Sequence, residues 1–335
     1  MRSLALGTGV LVLSAAALLA CGKEGSSGSS GPSGGNQSSG AQGAGCTPAK
    51  GNDLVVLEDD KHLQTVDNII PAIYKPASTP ALISALDKVS GALDTSKLIA
   101  LNKQVDVERK TAKNVASDFV SQNSLTAGVS GGSGDIQVGA ANFGESKILA
   151  NVYADVLKAA GFNATVKEVG NRELYLKSLS KGEIDVMPEY VGTLTEFLNK
   201  AQNGANAAAK ASGDLDATVT ALKELGTAAT LDFGAPSQAA DQNAFAVTKA
   251  YAEANGLKTL SDLAAKCNGG DLVLGGPTEC QDRPFCKPGL EKTYGLKFTG
   301  FNTYDSGGPL TKTALKTGKA QVGLVFSSDG SLASG

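Results

Sequence analysis

The stretch Gly182-Glu183-Ile184-Asp185-Val186-Met187-Pro188-Glu189-Tyr190-Val191-Gly192-Thr193 decides how the rest of the chain is read. Ile184, Val186 and Met187 form a short apolar run. Pro188 has no N–H for a sheet ladder and predicts that the strand stops there. Glu189, Tyr190 and Thr193 then fall in a polar, aromatic turn, and Leu194 to Lys200 read as the first turns of a helix. Open α/β sheets bind small molecules in the crevice at the carboxyl ends of their strands, so this turn is where a ligand would be presented. The competing reading makes Tyr190 the packing at a strand end and Glu189 a solvated charge.

The same strand, turn and helix grammar repeats on either side. Upstream, the strand Ile136 to Ala140 leads through Asn142-Phe143-Gly144-Glu145 into a helix with Ile148, Leu149, Val152, Val156 and Leu157 on one face. A strand over Ala164 to Val169 leads to Gly170-Asn171-Arg172-Glu173 and a short helix. Such alternation predicts a mostly parallel sheet with helices on both faces, its turns at 142–145, 171–173 and 189–193 along one edge. Downstream, a helix over Asp214 to Leu225 precedes a crossing between lobes at Leu231 to Ala240, where Gly234, Pro236 and Ser237 interrupt any period. Strands follow at Asn243–Val247, Leu272–Leu274 and Gln321–Phe326, separated by helices at 250–255, 260–265, 288–294 and 311–317. Ahead of everything stand a buried strand, Leu54 to Leu57, an extended segment, Asp67 to Tyr74, and three amphipathic helices between Thr79 and Val120. The glycines of Thr126 to Gly134 precede a strand and lack a Gly-Lys-Ser/Thr ending, so they read as a linker and not as a phosphate loop.

Residues 1–21 begin with Arg2 and an apolar run, a secretory signal ending in Leu18-Leu19-Ala20-Cys21-Gly22. That ending resembles a bacterial lipobox, which makes Cys21 the lipid anchor and places the body outside the cytoplasm. Residues 22–51 are nearly all small and polar, a tether with too little apolar surface to order itself. The 335-residue chain is 41% hydrophobic, enough for two lobes, and its formal charge of -3 with no basic run excludes nucleic acid as a natural partner. One histidine, His62, cannot supply a metal cluster and argues against a Ser-His-Asp or Cys-His enzyme. Cys46, Cys267, Cys280 and Cys286 imply two disulfides in an exported protein. Sequence does not choose among their three connectivities; we favour a local clasp of Cys280 with Cys286, leaving Cys46 with Cys267.

Five groups of residues carry a resemblance. They are Asn142-Phe143-Gly144-Glu145-Ser146, Pro188-Glu189-Tyr190-Val191-Gly192-Thr193, Asn243-Ala244-Phe245-Ala246, Arg283 with Pro288-Gly289-Leu290 and Tyr294-Gly295, and Phe326-Ser327-Ser328-Asp329-Gly330. Together they resemble the ProX-like substrate-binding proteins of ABC importers for glycine betaine, choline and related osmolytes. The resemblance implies an α/β protein of the type II periplasmic-binding-protein fold: two lobes, each with a mixed, mostly parallel sheet flanked by helices. The segment order departs from the family, whose closing segment resembles Asn52 to Leu125 here and stands first, so a circular permutation joined through residues 126–134 is implied. Residues 52–125 and 135–235 then form lobe 1 and residues 236–330 lobe 2, and Leu54–Leu57 is expected in the same lobe as Ile136–Ala140.

The resemblance also implies a monomeric binder with no cofactor and no catalysis, whose lobes close on a small ligand and dock on a transmembrane permease. Its aromatic rings would hold a quaternary ammonium by cation–π attraction. Carried over by position, Tyr190 and Phe245 are the cage candidates, with Phe326 a third. Thr193, Asn243 and Arg283 would bond polar or carboxylate groups, Arg172 joins them from the 171–173 turn, and Asn142 and Phe143 line the first lobe's edge. Phe245 and Phe326 stand where the family often has tyrosine, and Ala141 where some betaine binders carry lysine. A different zwitterionic or aromatic solute is therefore the alternative ligand, and a secreted hydrolase on the same fold the alternative function.

Overall fold

The computed structural model describes residues 46 and 49–332. The expected signal peptide, the lipidated Cys21 and the tether up to residue 45 lie outside the described residues. Along the chain run the strands β1 (Leu54–Leu57), β2 (Ile69–Tyr74), β3 (Asp135–Ala140), β4 (Asn163–Glu168), β5 (Val186–Tyr190) and β6 (Leu231–Phe233). They are followed by β7 (Asn243–Thr248), β8 (Val273–Gly276), β9 (Gly300–Thr303) and β10 (Val322–Phe326). Two five-stranded sheets result, one in the order β4-β3-β5-β2-β6 and the other β1-β7-β10-β8-β9. Each is evenly mixed and not mostly parallel. In the first, β3 is parallel to β4 and β5 while β2 is antiparallel to β5 and β6. In the second, β7 is antiparallel to β1 and β10 while β8 is parallel to β10 and β9.

The first sheet is flanked by α1 (Pro80–Ala92), α2 (Thr95–Asp106), α3 (Ala112–Gln122), α4 (Gly144–Ala160), α5 (Arg172–Lys181), α6 (Val191–Asn203) and α7 (Leu215–Ala228). The second carries α8 (Lys249–Asn255), α9 (Leu260–Cys267), α10 (Lys287–Gly289) and α11 (Pro309–Lys316). Local chemistry starts and stops these helices. The Thr79 hydroxyl accepts from the Leu82 N–H ahead of Pro80, and Thr259 and Asp262 form a reciprocal capping box on α9. Gly182, left-handed at φ 75°, ends α5 and turns the chain into β5. The strand β2 is apolar throughout because both of its faces are covered. Ile69 and Ile73 pack with α1 and α4, whereas Ile70 and Ala72 pack with Leu176, Met187 and Leu194.

Three expectations are corrected. The strand does not stop at Pro188. Bonds from Tyr74 N to Asp185 O (2.8 Å) and from Val191 N to Asn68 O (3.0 Å) set the register, which puts Pro188 opposite Pro71 at a position where neither residue bonds the other. The missing N–H therefore leaves that ladder intact. Leu231–Phe233 is the edge strand β6, so the crossing starts only after it. Finally, Leu54–Leu57 lies in the second sheet, registered antiparallel from Leu54 on Thr248 to Leu57 on Phe245, and not beside Ile136–Ala140. Leu57 is drawn there by the apolar cluster around Phe245 and Leu324. The assignment of all of 52–125 to the first lobe fails, and so does the rearrangement in the form that required it. The chain crosses between sheets at residues 58–68 and 234–242. The crossings run side by side, with Asp241 N donating to Asp67 O at 3.1 Å and Ile69 N to Ala239 O at 2.9 Å.

Candidate functional site

A cavity of about 450 Å³ lies where the carboxyl ends of β3 and β5 face the start of β7 and the end of β10. The turn after β3 delivers Asn142 and Phe143, and the end of β5 delivers Tyr190. Thr193 follows on α6, whose first turn is held by Asp67 from the neighbouring crossing. The Asp67 carboxylate accepts from Gly192 N (2.9 Å) and Thr193 N (3.0 Å), satisfying donors that a helix start leaves free. A Cβ on Gly192 would collide with the Val66 carbonyl, so only glycine lets the crossing approach this closely.

Aromatic rings from both lobes meet here. Phe143 lies 6.4 Å, centre to centre, from Tyr190 and 5.9 Å from Phe326. Tyr175, Phe197 and Phe285 line the same cavity. Tyr190 is both a packing residue and a wall residue, buried at 9% exposure, and its hydroxyl donates to Glu145 at 2.6 Å. Glu145 also accepts from Asn102 and Ser328, each at 2.6 Å, and so joins α2 and α4 of the first lobe to the loop after β10 of the second. Burial pushes the Glu145 carboxyl above its ordinary range against these bonds. Burial, reinforced by the neighbouring Glu145 charge, pushes Asp241 well above it as well. Asp67 is pushed up to about 7, chiefly by burial.

The basic groups are already engaged. Arg172 and Glu189, both buried, pair at 2.6 Å and 2.9 Å, and Tyr175 adds a bond to Glu189 at 2.7 Å. Burial works against the Arg172 charge, but Glu189 holds its proton well above the ordinary value. Glu189 is therefore not a solvated charge. Arg283, on the second lobe, reaches Glu173 of α5 at 2.9 Å and 3.1 Å, and Asn171 donates to Glu279 at 3.2 Å, so these contacts span the seam between the lobes. Thr193 accepts from Arg172 at 3.0 Å, and the Asn243 amide donates to the Phe285 carbonyl at 3.1 Å, holding the loop clasped by Cys280–Cys286. The second disulfide joins Cys46 to Cys267.

Of the residues expected at the ligand, Phe245 is the exception to the cavity wall. It is 1% exposed, inside the second lobe's core, because strand alternation turns it with Val247 towards Leu57 and Leu324. Phe285 faces the cavity in its stead. Sequence reading missed Phe285, Phe197, Asp67 and Asp241. Only Phe197 carried a signal, being four residues after Thr193 on a helix. Among the described residues no group of three or more His, Cys, Asp or Glu side chains is set for a metal ion, and no helix is long and apolar enough to cross a membrane.

Comparison with known proteins supplies the family. A profile described as the substrate binding domain of ABC-type glycine betaine transport systems matches residues 48–122 and 134–334, on either side of the glycine linker. The chain is 27% identical over 204 residues to a glycine-betaine-binding protein of Pseudomonas aeruginosa, covering 59% of this chain and 63% of that protein. It is 26% identical over 206 residues to the glycine betaine-binding protein YehZ of Escherichia coli, covering 59% and 66%. It thus spans just under two thirds of the length of these relatives. A crystal structure of Haemophilus influenzae OppA aligns at 13% identity over 55% of this chain and 44% of that one, with a TM-score of 0.26, too low to carry an argument. Matched over most of its length, the chain belongs to the substrate-binding domains of ABC-type glycine betaine transport systems, a family of binding proteins and not of enzymes.

Proposed function

We propose that the chain is an extracytoplasmic, lipid-anchored solute-binding protein of the type II fold that hands a quaternary-ammonium compound, such as glycine betaine or choline, to an importer permease. The observation that carries the reading is the meeting of Phe143, Tyr190 and Phe326 beside the buried carboxyls of Asp67 and Asp241 in one cavity. A quaternary ammonium cannot donate hydrogen bonds. It is recognised by ring faces, worth about 0.5–2 kcal/mol each when water is excluded, and by nearby negative charge. The lobes would close as a hinge on the paired crossings, with Arg283–Glu173 joining across the mouth. Cys21 would hold the protein at the membrane as a monomer.

The segment order is part of the proposal with its boundary redrawn. The family's second lobe here comprises residues 243–330 and β1, and the return crossing 58–68 leads to the rest of the first lobe. A gene encoding 134–332 ahead of 46–122 should fold and bind as the present order does; failure to fold would end that idea.

The test of function is a ligand-induced thermal shift with choline, glycine betaine, carnitine and ergothioneine-like compounds. At one hundred times Kd a ligand adds about 2.7 kcal/mol, a shift of several degrees. Tyr190→Ala should abolish the shift while Phe245→Leu keeps it. Hydrolysis of a substrate with no ligand-induced stabilisation would favour the hydrolase alternative and overturn the reading.

A further inference from the structure

The cavity is longer than its aromatic end needs. Thr193, Phe197, Lys200 and Ala201 all line it, and their spacing of four, seven and eight residues is that of one helix face. From Thr193 to Lys200 is seven residues of α6, a rise of about 10 Å along the axis. The wall therefore runs two turns, from the rings at one end, past Phe197, to Lys200 and Ala201. Its volume of about 450 Å³ lies in the range of pockets for molecules larger than a single ammonium head, roughly 300–1,000 Å³.

The two ends differ in charge. Asp67, bonded to Thr193, and Asp241, bonded to Ser328 N at 2.9 Å, stand at the aromatic end. Of the cations on the wall, Arg172 is bound to Glu189 and Arg283 to Glu173. Lys200 is the wall cation with no carboxylate partner among the described residues. In glycine betaine one carbon separates the ammonium from the carboxylate, a span far shorter than the two turns of α6 between Thr193 and Lys200.

Resting on the function proposed above, we infer that the preferred ligand is an elongated zwitterion, a quaternary ammonium at the Phe143–Tyr190–Phe326 end joined through an apolar spacer to an anionic group at Lys200. The spacer lies against Phe197, Ala201 and Ala205. Lys200 is then the residue that sets ligand length.

The test is calorimetric titration of the full chain with tetramethylammonium, glycine betaine, γ-butyrobetaine and trimethylammoniohexanoate. Affinity should rise with spacer length, by about tenfold or more from glycine betaine to the hexanoate. Lys200→Met should flatten that dependence and Lys200→Arg should retain it. Strongest binding by glycine betaine, or an unaltered length dependence in Lys200→Met, overturns the inference. If tetramethylammonium binds and length has no effect, this inference falls while the quaternary-ammonium reading stands. If no member of the series binds, the quaternary-ammonium reading falls with it.

Discussion

Asp67 gives the sharpest handle on the site, because its carboxyl is 5% exposed and is raised to about 7 from an ordinary 3.8. Burial is the main cause, opposed by the bond from Thr193 and by Arg172. The folded state therefore binds this proton more tightly than the unfolded chain does. Stability from the protonated form is complete below the unfolded value and is lost as pH rises through about 7. At about 1.36 kcal/mol per pH unit the gap amounts to about 4 kcal/mol. Asp67→Asn keeps an acceptor for the first turn of α6 and never ionises. The variant should gain on the parent steadily from about pH 4 to pH 8, approaching this figure at the upper end. Urea unfolding of both proteins at fixed ionic strength reads the difference, in which the carboxyls common to both cancel. A cation bound beside Asp67 favours the ionised form, so cation affinity of the parent should rise with pH through the same window more steeply than that of the variant, which keeps Asp241. A stability difference that is constant with pH, or that shrinks towards pH 8, would refute the reasoning.

Three further outcomes follow from the same geometry. Arg172→Met strands the buried Glu189 and should cost about 3–5 kcal/mol in urea unfolding, most of it recovered in Arg172→Met with Glu189→Gln. A single-variant cost below about 1 kcal/mol would mean that the pair is effectively solvated. Phe245→Ala should cost about 3–5 kcal/mol of stability without changing the order in which ligands bind, and a change in that order would return Phe245 to the site. The chain-entropy argument gives the Cys280–Cys286 link, spanning 6 residues, about 2 kcal/mol, and the Cys46–Cys267 link, spanning 221, about 5 kcal/mol. Replacing the first pair by serine should nonetheless weaken ligand binding more than replacing the second, because Arg283 and Phe285 stand within its loop; the reverse ranking by titration would contradict that placement.

Tyr190 and the start of α6 were legible because a short apolar run gives way there to a polar turn and then to helical spacing. Pro188 misled, since whether a strand tolerates proline depends on which side its nitrogen faces, a property of the partner strand. The partner of Leu54–Leu57 was equally hidden: four apolar residues fit the edge of any sheet, and only the register on Phe245–Thr248 distinguishes the second lobe from the first. Nothing in the sequence singles out Asp67, at the head of an extended segment, or Asp241, just past the expected crossing, and their burial arises only when the two crossings pack together. Arg172 and Arg283 were visible as charges but not as engaged ones. Glu173 follows Arg172 directly, yet successive helix residues point about 100° apart, so Arg172 turns inward to Glu189 while Glu173 turns to Arg283.

This engagement bears on which ligand charge the site accepts where. A ligand carboxylate placed at Arg172 would have to compete with Glu189, and one at Arg283 with Glu173. Displacing the partner from the buried pair leaves a charge without compensation, at a cost of about 3–5 kcal/mol. An ammonium at the rings meets the opposite situation. Asp67 and Asp241 are buried there, and a fixed positive charge offsets what burial costs their ionised forms without breaking an existing pair. On the proposed function, the aromatic end would therefore select a cation and reject an anion, whatever the rest of the molecule contains. On the inference drawn above, a zwitterion would satisfy both ends only by carrying its negative group far enough along α6 to leave the two guanidinium pairs untouched.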